Sequence, residues 1–299
     1  MKLLITGGTG FIGVPLCQRL VQRGHDLFVL TRQPPRRSTQ DRVQFLSWDT
    51  DAWLQTLRSI EGVINLAGAS LAAKRWTSTQ KQIIRDSRIH TTRRLVDAIA
   101  AAAKKPSILM NASAIGYYGA RDNEELGEAE SAGSGFLAEL CQAWEAEAQR
   151  AERLGVRVVR LRIGLVLGPG GGALAKMVPP FRFFVGGPLG SGRQWVSWIH
   201  QADVLGLIEW VLTHQEVSGA VNATAPTPVN MRELCQELGH VMHRPSWAPV
   251  PANVLRLLLG EMADLLLTGQ RVLPHVALRG GYTFAFPTLR PALAMCLTR

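Results

Sequence analysis

The chain has 299 residues, of which 46% are apolar and 19% charged, enough for one large α/β domain with a smaller appendage around a substantial core. This is the composition of a soluble globular protein, and no 18-residue apolar span of the kind that crosses a bilayer interrupts it. A formal net charge of +10 raises nucleic acid as a partner, but Arg and Lys are scattered, with only local pairs such as Arg36–Arg37 and Arg93–Arg94. An anionic cofactor and substrate account for that charge, and no nucleic-acid partner is expected.

Leu3–Ile5 is a short apolar run ending at Thr6 and Gly7, as a buried parallel strand ends in a turn. Glycines follow at 7, 10 and 13, and Ile12, Leu16 and Leu20 recur at helical spacing, which predicts a helix over 11–23 closed by Gly24. Pro15 falls in the opening of that helix, where a missing N–H is tolerated. Strand, glycine turn and helix start together form a dinucleotide-binding fingerprint. Gly7 lets the chain turn, Gly10 lets backbone approach a pyrophosphate, and Gly13 lets the helix pack on the strand. The free N–H groups and positive dipole end of the helix then face the anion. The candidate cofactor residues here are Gly7, Thr9, Gly10, Phe11, Ile12 and Gly13.

A second strand, 25–30, ends at Thr31 and Arg32, where a cofactor's ribose arrives. An NAD-preferring site places Asp or Glu there, yet residues 27–40 contain no acid and do contain Arg32, Arg36 and Arg37. A carboxylate repels a 2′-phosphate, whereas an arginine pairs with it through a charge-assisted fork, so NADP is the expected cofactor. A solvated basic loop accounts equally well for Arg36 and Arg37.

A third strand is predicted over 43–47, leading to Trp48 and Asp49, and a fourth over 62–66, ending in Asn65-Leu66-Ala67-Gly68. A long helix over 78–103 carries a broken apolar face. The fifth strand, 107–112, is followed by Ser113-Ala-Ile-Gly-Tyr-Tyr-Gly119. Polar groups just beyond the carboxyl end of a central strand are where an open α/β sheet puts its chemistry, which makes Ser113, Tyr117 and Tyr118 the candidate catalytic residues. An acidic loop, 122–130, leads into a helix over 134–154 capped by Gly155, then a sixth strand, 156–162. The alternation implies right-handed crossovers and a Rossmann-type doubly wound parallel sheet, an α/β fold.

Beyond Gly164 the pattern loosens. Segments 168–172 and 186–192 are glycine-rich loops expected to act as mobile covers, and the proline-rich end suggests a smaller C-terminal, substrate-side lobe. The division is a main domain over 1–165, with 195–225 returning to it, and a lobe from 166–194 and 226–299. His240 and His243 read as helix-end residues, and Cys17, Cys141, Cys235 and Cys296 as scattered reduced thiols, so no metal is expected. The apolar stretch at the N-terminus breaks at Gly7–Gly8, too short for a secretory signal, so the expected location is cytoplasmic, with no membrane partner.

Thr6–Gly13 resembles the N-terminal signature of the extended and atypical short-chain dehydrogenase/reductase superfamily. With Asn65–Gly68, Lys74–Trp76, Ser113–Gly119, Gly186–Arg193, Trp198–His200, Gly269–Pro274 and Gly281–Phe284, the chain is similar over nearly its full length to one branch. That branch is the epimerase-like family with a C-terminal domain of unknown function. The resemblance implies an NADP-binding protein in which Leu66, Ala67 and Gly68 flank adenine and ribose, Arg88 stands near the cofactor, and Asp49 joins the cofactor set. It also implies a helix returning to the main domain after residue 198 and a possible homodimer. His200 and Asp203 are candidates for catalysis, but a buried, hydrogen-bonded elbow between domains is the favoured reading.

The chain departs from the wider superfamily at its catalytic pair, Tyr-x-x-x-Lys, where the lysine lowers the tyrosine pKa so that a phenolate can exchange a proton. Tyrosines occur only at 117, 118 and 282, followed four residues on by Arg121, Asp122 and Phe286. Aligned through Glu145, the pair's positions hold Leu137 and Cys141. A phenol with a pKa of about 10 serves better as a hydrogen-bond donor than as a cycling base, a role expected of Tyr118 with Ser113 beside it. Two functions stay open. One is an NADP-dependent oxidoreductase or epimerase acting on an unidentified small or nucleotide-sugar-like substrate; the other is a non-catalytic NADP(H)-binding sensor or partner-binding regulator.

Overall fold

Short apolar runs alternate with amphipathic helices, and the chain resolves that alternation around one parallel sheet. The structure, a computed structural model, describes residues 1–35 and 41–297. β1 (Lys2–Thr6), β2 (Asp26–Thr31), β3 (Val43–Ser47), β4 (Gly62–Asn65) and β5 (Ile108–Ala114) come first, with α1 (Gly13–Gln22), α2 (Ala52–Thr56) and α3 (Ser78–Ala101) between them. Next come β6 (Arg121–Leu126), α4 (Phe136–Gln149), β7 (Arg157–Ile163), β8 (Leu165–Leu167), α5 (Leu174–Arg182), β9 (Trp195–Val196) and β10 (Trp198–His200). They are followed by α6 (Gln201–Thr213), β11 (Gly219–Ala223), β12 (Val229–Asn230) and α7 (Met231–Met242). Last are α8 (Ala252–Leu259), α9 (Asp264–Leu267), β13 (Gln270–Val272), α10 (His275–Arg279) and α11 (Leu289–Leu297).

Seven strands form the main sheet in the order β11-β7-β5-β4-β1-β2-β3, all parallel. The chain runs outward from β1 to β3, then returns to the other side of β1 at β4. That reversal is the switch point at which an open α/β sheet binds its ligand, beyond the carboxyl ends of Thr6 and Asn65.

Period-two alternation places neighbouring residues on opposite faces. Leu3 and Ile5 join a cluster with Leu16, Leu20 and the α6 residues Val204 and Ile208, whereas Leu4 packs with Trp53, Leu95 and Ile99 on the other face. Each such side chain contributes about 1.5–3 kcal/mol on burial. A third cluster, built from α5, α7, α11 and Trp198, makes the lobe core. The tail is divided: Ala277 and Phe284 pack into the main-sheet cluster, while Leu289 and Leu293 pack into the lobe.

α1 starts at Gly13 rather than 11, because residues 10–12 are used in the turn, and it closes at Gly24 with φ +83°. The region expected as an acidic loop contains β6, which pairs in parallel with β13. Its exposed acidic residues hide any strand periodicity, and its partner lies far along the chain. The elbow forms as expected: His200 Nδ1 caps α6 by accepting from Ala202 N at 3.1 Å, and the Asp203 carboxylate accepts from the N–H groups of Ala285 and Phe286 at 2.7 and 3.0 Å.

Segment 186–192 is stitched to residues 247–250. Gly186 O accepts from Trp247 and Ala248, Val250 N donates to Pro188 O, and Gly190 N donates to Val250 O. All four cysteines are buried free thiols. Among the described residues no helix is long and apolar enough to cross a membrane, and no cluster of His, Cys, Asp or Glu is placed to hold a metal.

Candidate functional site

β1 delivers the chain to Gly7, which turns at φ +69°, a conformation suited to glycine. A Cβ there would stand 2.6 Å from Leu66 O, and one on Gly13 would stand 2.1 Å from Gly7 O. The same addition at Gly10 meets only Gly7 O, at 3.3 Å. The chain therefore fills the space at Gly7 and Gly13 and leaves Gly10 open on its outer side. Ile12, at the N-cap of α1, has no side-chain oxygen to accept from the first-turn N–H groups. An open backbone cradle under an uncapped helix start fits a pyrophosphate. Thr9 is exposed at this turn. The Phe11 ring is engaged elsewhere, enclosed by the 168–172 loop: a Cβ on Gly171 would come within 2.6 Å of it. Gln201 Nε2 donates to Phe11 O at 2.8 Å, tying this turn to α6.

One strand over, Thr31 ends β2 and Arg32 extends beyond it, exposed and without an ion-pair partner among the described residues. Thr31 is in register with Ser47 at the end of β3, so Arg32 and Asp49 share one edge of the sheet. Asp49 is exposed, its N–H donating to Ser47 Oγ at 3.2 Å. Arg36 and Arg37 lie outside the described residues.

Across the switch point, Leu66 N donates to Thr6 O, and Leu66, Ala67 and Gly68 lead away from β4. Their path is fixed from beneath by a buried polar group. Asn65 Nδ2 donates to Thr92 Oγ1 at 2.8 Å and to Asn111 Oδ1 at 2.6 Å, and Trp144 Nε1 donates to Thr92 Oγ1 at 2.9 Å. Arg88, from α3, lies flat against Gly68; a Cβ on that glycine would be 3.0 Å from Arg88 Cζ. Its guanidinium stacks 5.3 Å from the Trp144 ring and donates to Ile84 O at 3.2 Å. No carboxylate pairs with it among the described residues. Burial lowers its pKa from the ordinary value, slightly opposed by the Cys141 thiol.

At the end of β5, Ser113 Oγ donates to Glu145 Oε1 at 2.7 Å. Glu145 also receives Arg162 through a two-pronged contact, Nε at 2.9 Å and Nη2 at 3.0 Å, and all three residues are buried. Burial alone would lower the Arg162 pKa, but the Glu145 hydrogen bonds and charge, with Tyr118, lift it above the ordinary arginine value. Arg162 Nη1 donates to Tyr118 Oη at 2.9 Å, and Tyr118 donates in turn to Asn222 Oδ1 at 2.7 Å.

That arrangement corrects one expectation. Tyr118 is 0% exposed with its hydroxyl bonded on both sides, so it cannot meet a substrate. Burial raises its pKa despite Arg162, which makes it a still poorer acid. Ser113 is likewise committed: a carboxylate only accepts, so the serine proton points at Glu145. Tyr117 differs. It is half-buried, its ring lies 3.4 Å from the Arg162 guanidinium, and its hydroxyl has no partner among the described residues.

Leu137 and Cys141, the α4 positions aligned through Glu145, face this same strand end. A Cβ on Gly116 would stand 3.2 Å from Leu137 Cβ and 3.9 Å from Cys141 Sγ. Burial pushes the Cys141 thiol up to about 11, so it stays neutral at ordinary pH. Sequence reasoning missed Arg162, Asn222 and the Asn65–Asn111 pair. A signal was available in β7, where Arg160 and Arg162 stand two apart on one face, and both reach Glu145.

Fold and turn together define a dinucleotide-binding α/β protein of the Rossmann type. The model of the NAD dependent epimerase/dehydratase family matches residues 3–223, and that of a domain of unknown function, DUF1731, matches residues 250–296. The chain belongs to the NAD dependent epimerase/dehydratase family, as the resemblance implied. It is similar to the chloroplastic epimerase family protein SDR39U1 homolog of Arabidopsis thaliana, 42% identical over 98% of this chain and 86% of that protein. The epimerase family protein YfhF of Bacillus subtilis is 39% identical over 99% of this chain and 98% of its own length. Among solved structures, the human epimerase family protein SDR39U1 (isoform2) with NADPH superposes with a TM-score of 0.89 at 34% identity, covering 99% of both chains.

Proposed function

We propose that this chain is an NADP(H)-dependent oxidoreductase or epimerase acting on a small carbonyl- or hydroxyl-bearing substrate. The observation that carries the reading is the open phosphate cradle over Gly10 beneath the uncapped start of α1, set at the switch point of the sheet. Arg32, in a stretch without an acid over 27–40, would pair with a 2′-phosphate. The relative that binds NADPH supports this choice. Asp49, Leu66, Ala67 and Gly68 would line the adenine and ribose.

The bound cofactor would supply or take a hydride at the end of β5. An oxyanion developing there needs a hydrogen-bond donor and positive charge. Ser113 and Tyr118 are committed to the fold, so Tyr117 supplies the donor and Arg88 the charge, while Ser113 orients the strand end through Glu145. The test begins with calorimetric titration of NADPH and NADH, followed by nicotinamide absorbance with a panel of carbonyl compounds. We expect tight NADPH binding and turnover of at least one compound. Arg88→Met should reduce that turnover by about 10²-fold, the scale of one positioned electrostatic group. Absence of NADPH binding overturns the reading.

Leu137 and Cys141, neither able to relay a proton, favour a second reading, a sensor that binds NADP(H) without chemistry. Tight binding with no turnover across the panel selects it.

A further inference from the structure

The dinucleotide site leaves much of the net charge of +10 without a role. No acidic residue occurs between Glu152 and Asp203, and none between Glu237 and Glu261. The fold joins these two acid-free stretches side by side, through the hydrogen bonds from Trp247 and Ala248 to Gly186 O. At their junction, where α5 ends, three large apolar residues project in succession. Phe183, Phe184 and Val185 are 76%, 53% and 52% exposed, and Trp247 beside them is 66% exposed.

The exposure is held in place by the backbone. Phe184 adopts φ +63°, a left-handed conformation that is costly for a bulky side chain. Trp247 Nε1 donates to Phe184 O at 2.9 Å, and the Arg244 guanidinium stacks 4.5 Å from the Phe184 ring. Arg182, also exposed, precedes the three residues directly. The fold therefore keeps aromatic rings in water, on a strained turn, with cations at the rim.

We propose that this tip, Phe183–Val185 with Trp247, docks the protein on an anionic phospholipid surface. Aromatic rings settle at the headgroup level of a bilayer, and arginines beside them meet lipid phosphates. A protein partner is the weaker fit, because protein interfaces ordinarily meet rims of both signs, and the two charged residues at this tip, Arg182 and Arg244, are both positive. Such docking departs from the expectation of no membrane partner, which rests on the lack of a spanning segment and of a secretory signal; a surface contact needs neither.

The experiment is co-sedimentation of the full chain with vesicles of phosphatidylcholine alone and of phosphatidylcholine with about one-third phosphatidylglycerol, at low and high salt. The wild type should pellet with the anionic vesicles, lose most binding in high salt, and stay in solution with the neutral ones. The double variant Phe183→Ser, Phe184→Gly should lose binding while its melting temperature does not fall, since glycine relieves the left-handed turn. Arg182→Glu should weaken vesicle binding by at least about fivefold, the equivalent of one surface cation. A wild type that ignores anionic vesicles overturns the proposal, as does a double variant that binds like the wild type. A concentration-dependent dimer in sedimentation velocity, abolished by the double variant in the absence of any vesicle binding, would assign the tip to a second copy of the chain instead.

Discussion

Tyr118→Phe separates a structural tyrosine from a catalytic one. The substitution removes a hydroxyl that accepts from Arg162 and donates to Asn222, both inside the fold. A hydrogen bond to a charged group contributes about 1.5–3 kcal/mol, and a buried acceptor left unpaired adds to the loss. Arg162 Nη1 retains a longer contact to Glu128 O at 3.3 Å, whereas Asn222 Oδ1 loses its donor, because the bond to Leu273 O runs from Nδ2, so the cost is about 2–3 kcal/mol. At about 2.1 cal/mol/K of unfolding entropy per residue, a chain of this size then melts roughly 3–5 °C lower. Circular dichroism during heating and urea titration gives the number, and NADPH calorimetry on the same samples shows whether the cradle is disturbed. We expect a clear loss of stability with cofactor affinity unchanged. Tyr117→Phe should show the reverse pattern, with stability within about 0.5 kcal/mol of wild type and turnover reduced. A Tyr118→Phe variant as stable as wild type but devoid of turnover would refute this division of roles.

Arg32→Ala should weaken NADPH binding by about 1.5–3 kcal/mol, the contribution of a hydrogen bond to a charged group, and leave NADH nearly unchanged; equal losses by calorimetry would remove Arg32 from the 2′-phosphate. Burial lowers the His200 pKa, partly opposed by Asp203, so the unfolded chain takes up its proton first as pH falls below about 6.5. Stability contributed by neutral, buried His200 is therefore present above that value and lost on acidification. His200→Asn keeps a capping oxygen for α6 and should flatten the slope of stability against pH below about 6.5. His25 shifts the same way, so the slope should shrink rather than vanish; an unchanged slope in His200→Asn denies His200 its part.

The elements legible in the sequence are those whose signal is local. β3 runs over the predicted Val43–Ser47, and Gly24 closes α1 in a positive-φ turn, while Gly155 caps the 3₁₀ turn over 150–154 that follows α4, in place of the expected single helix to 154. Every β4 residue is buried, so its apolar run stood out. β6 gave no such signal, because four of its six residues are exposed and polar and its stabilising partner is β13. The cofactor turn was legible for the same local reason as β3: four glycines, at 7, 8, 10 and 13, and a helix start fall within seven residues. The catalytic end was not. Whether Tyr118 meets a substrate or a buried arginine depends on the register of β5 with β7, where Ser113 stands opposite Arg162, and on the arrival of Asn222 from β11. Spacing along one segment carries no information about either.

On the proposed reading, the missing lysine and the unpaired arginine are one change rather than two. A lysine at position 141 would extend from α4 toward Ser113 and Gly116, the ground now held by the Cys141 thiol. Arg88 comes toward that part of α4 from α3, its guanidinium 5.3 Å from the ring of Trp144, the residue three further along α4. Two cations in a half-buried space with no carboxylate to share would repel strongly, since screening by water is weak there. A neutral residue at 141 is thus what Arg88 requires of its surroundings. Glu145, one turn further along α4, is saturated by Arg162 and Ser113 and cannot offset a second charge. It follows that Cys141→Lys alone should destabilise the chain, whereas the same change combined with Arg88→Asn should recover most of that loss. Thermal denaturation of the single and double variants reads the coupling directly, and equal melting temperatures for the two would place the two side chains in separate environments.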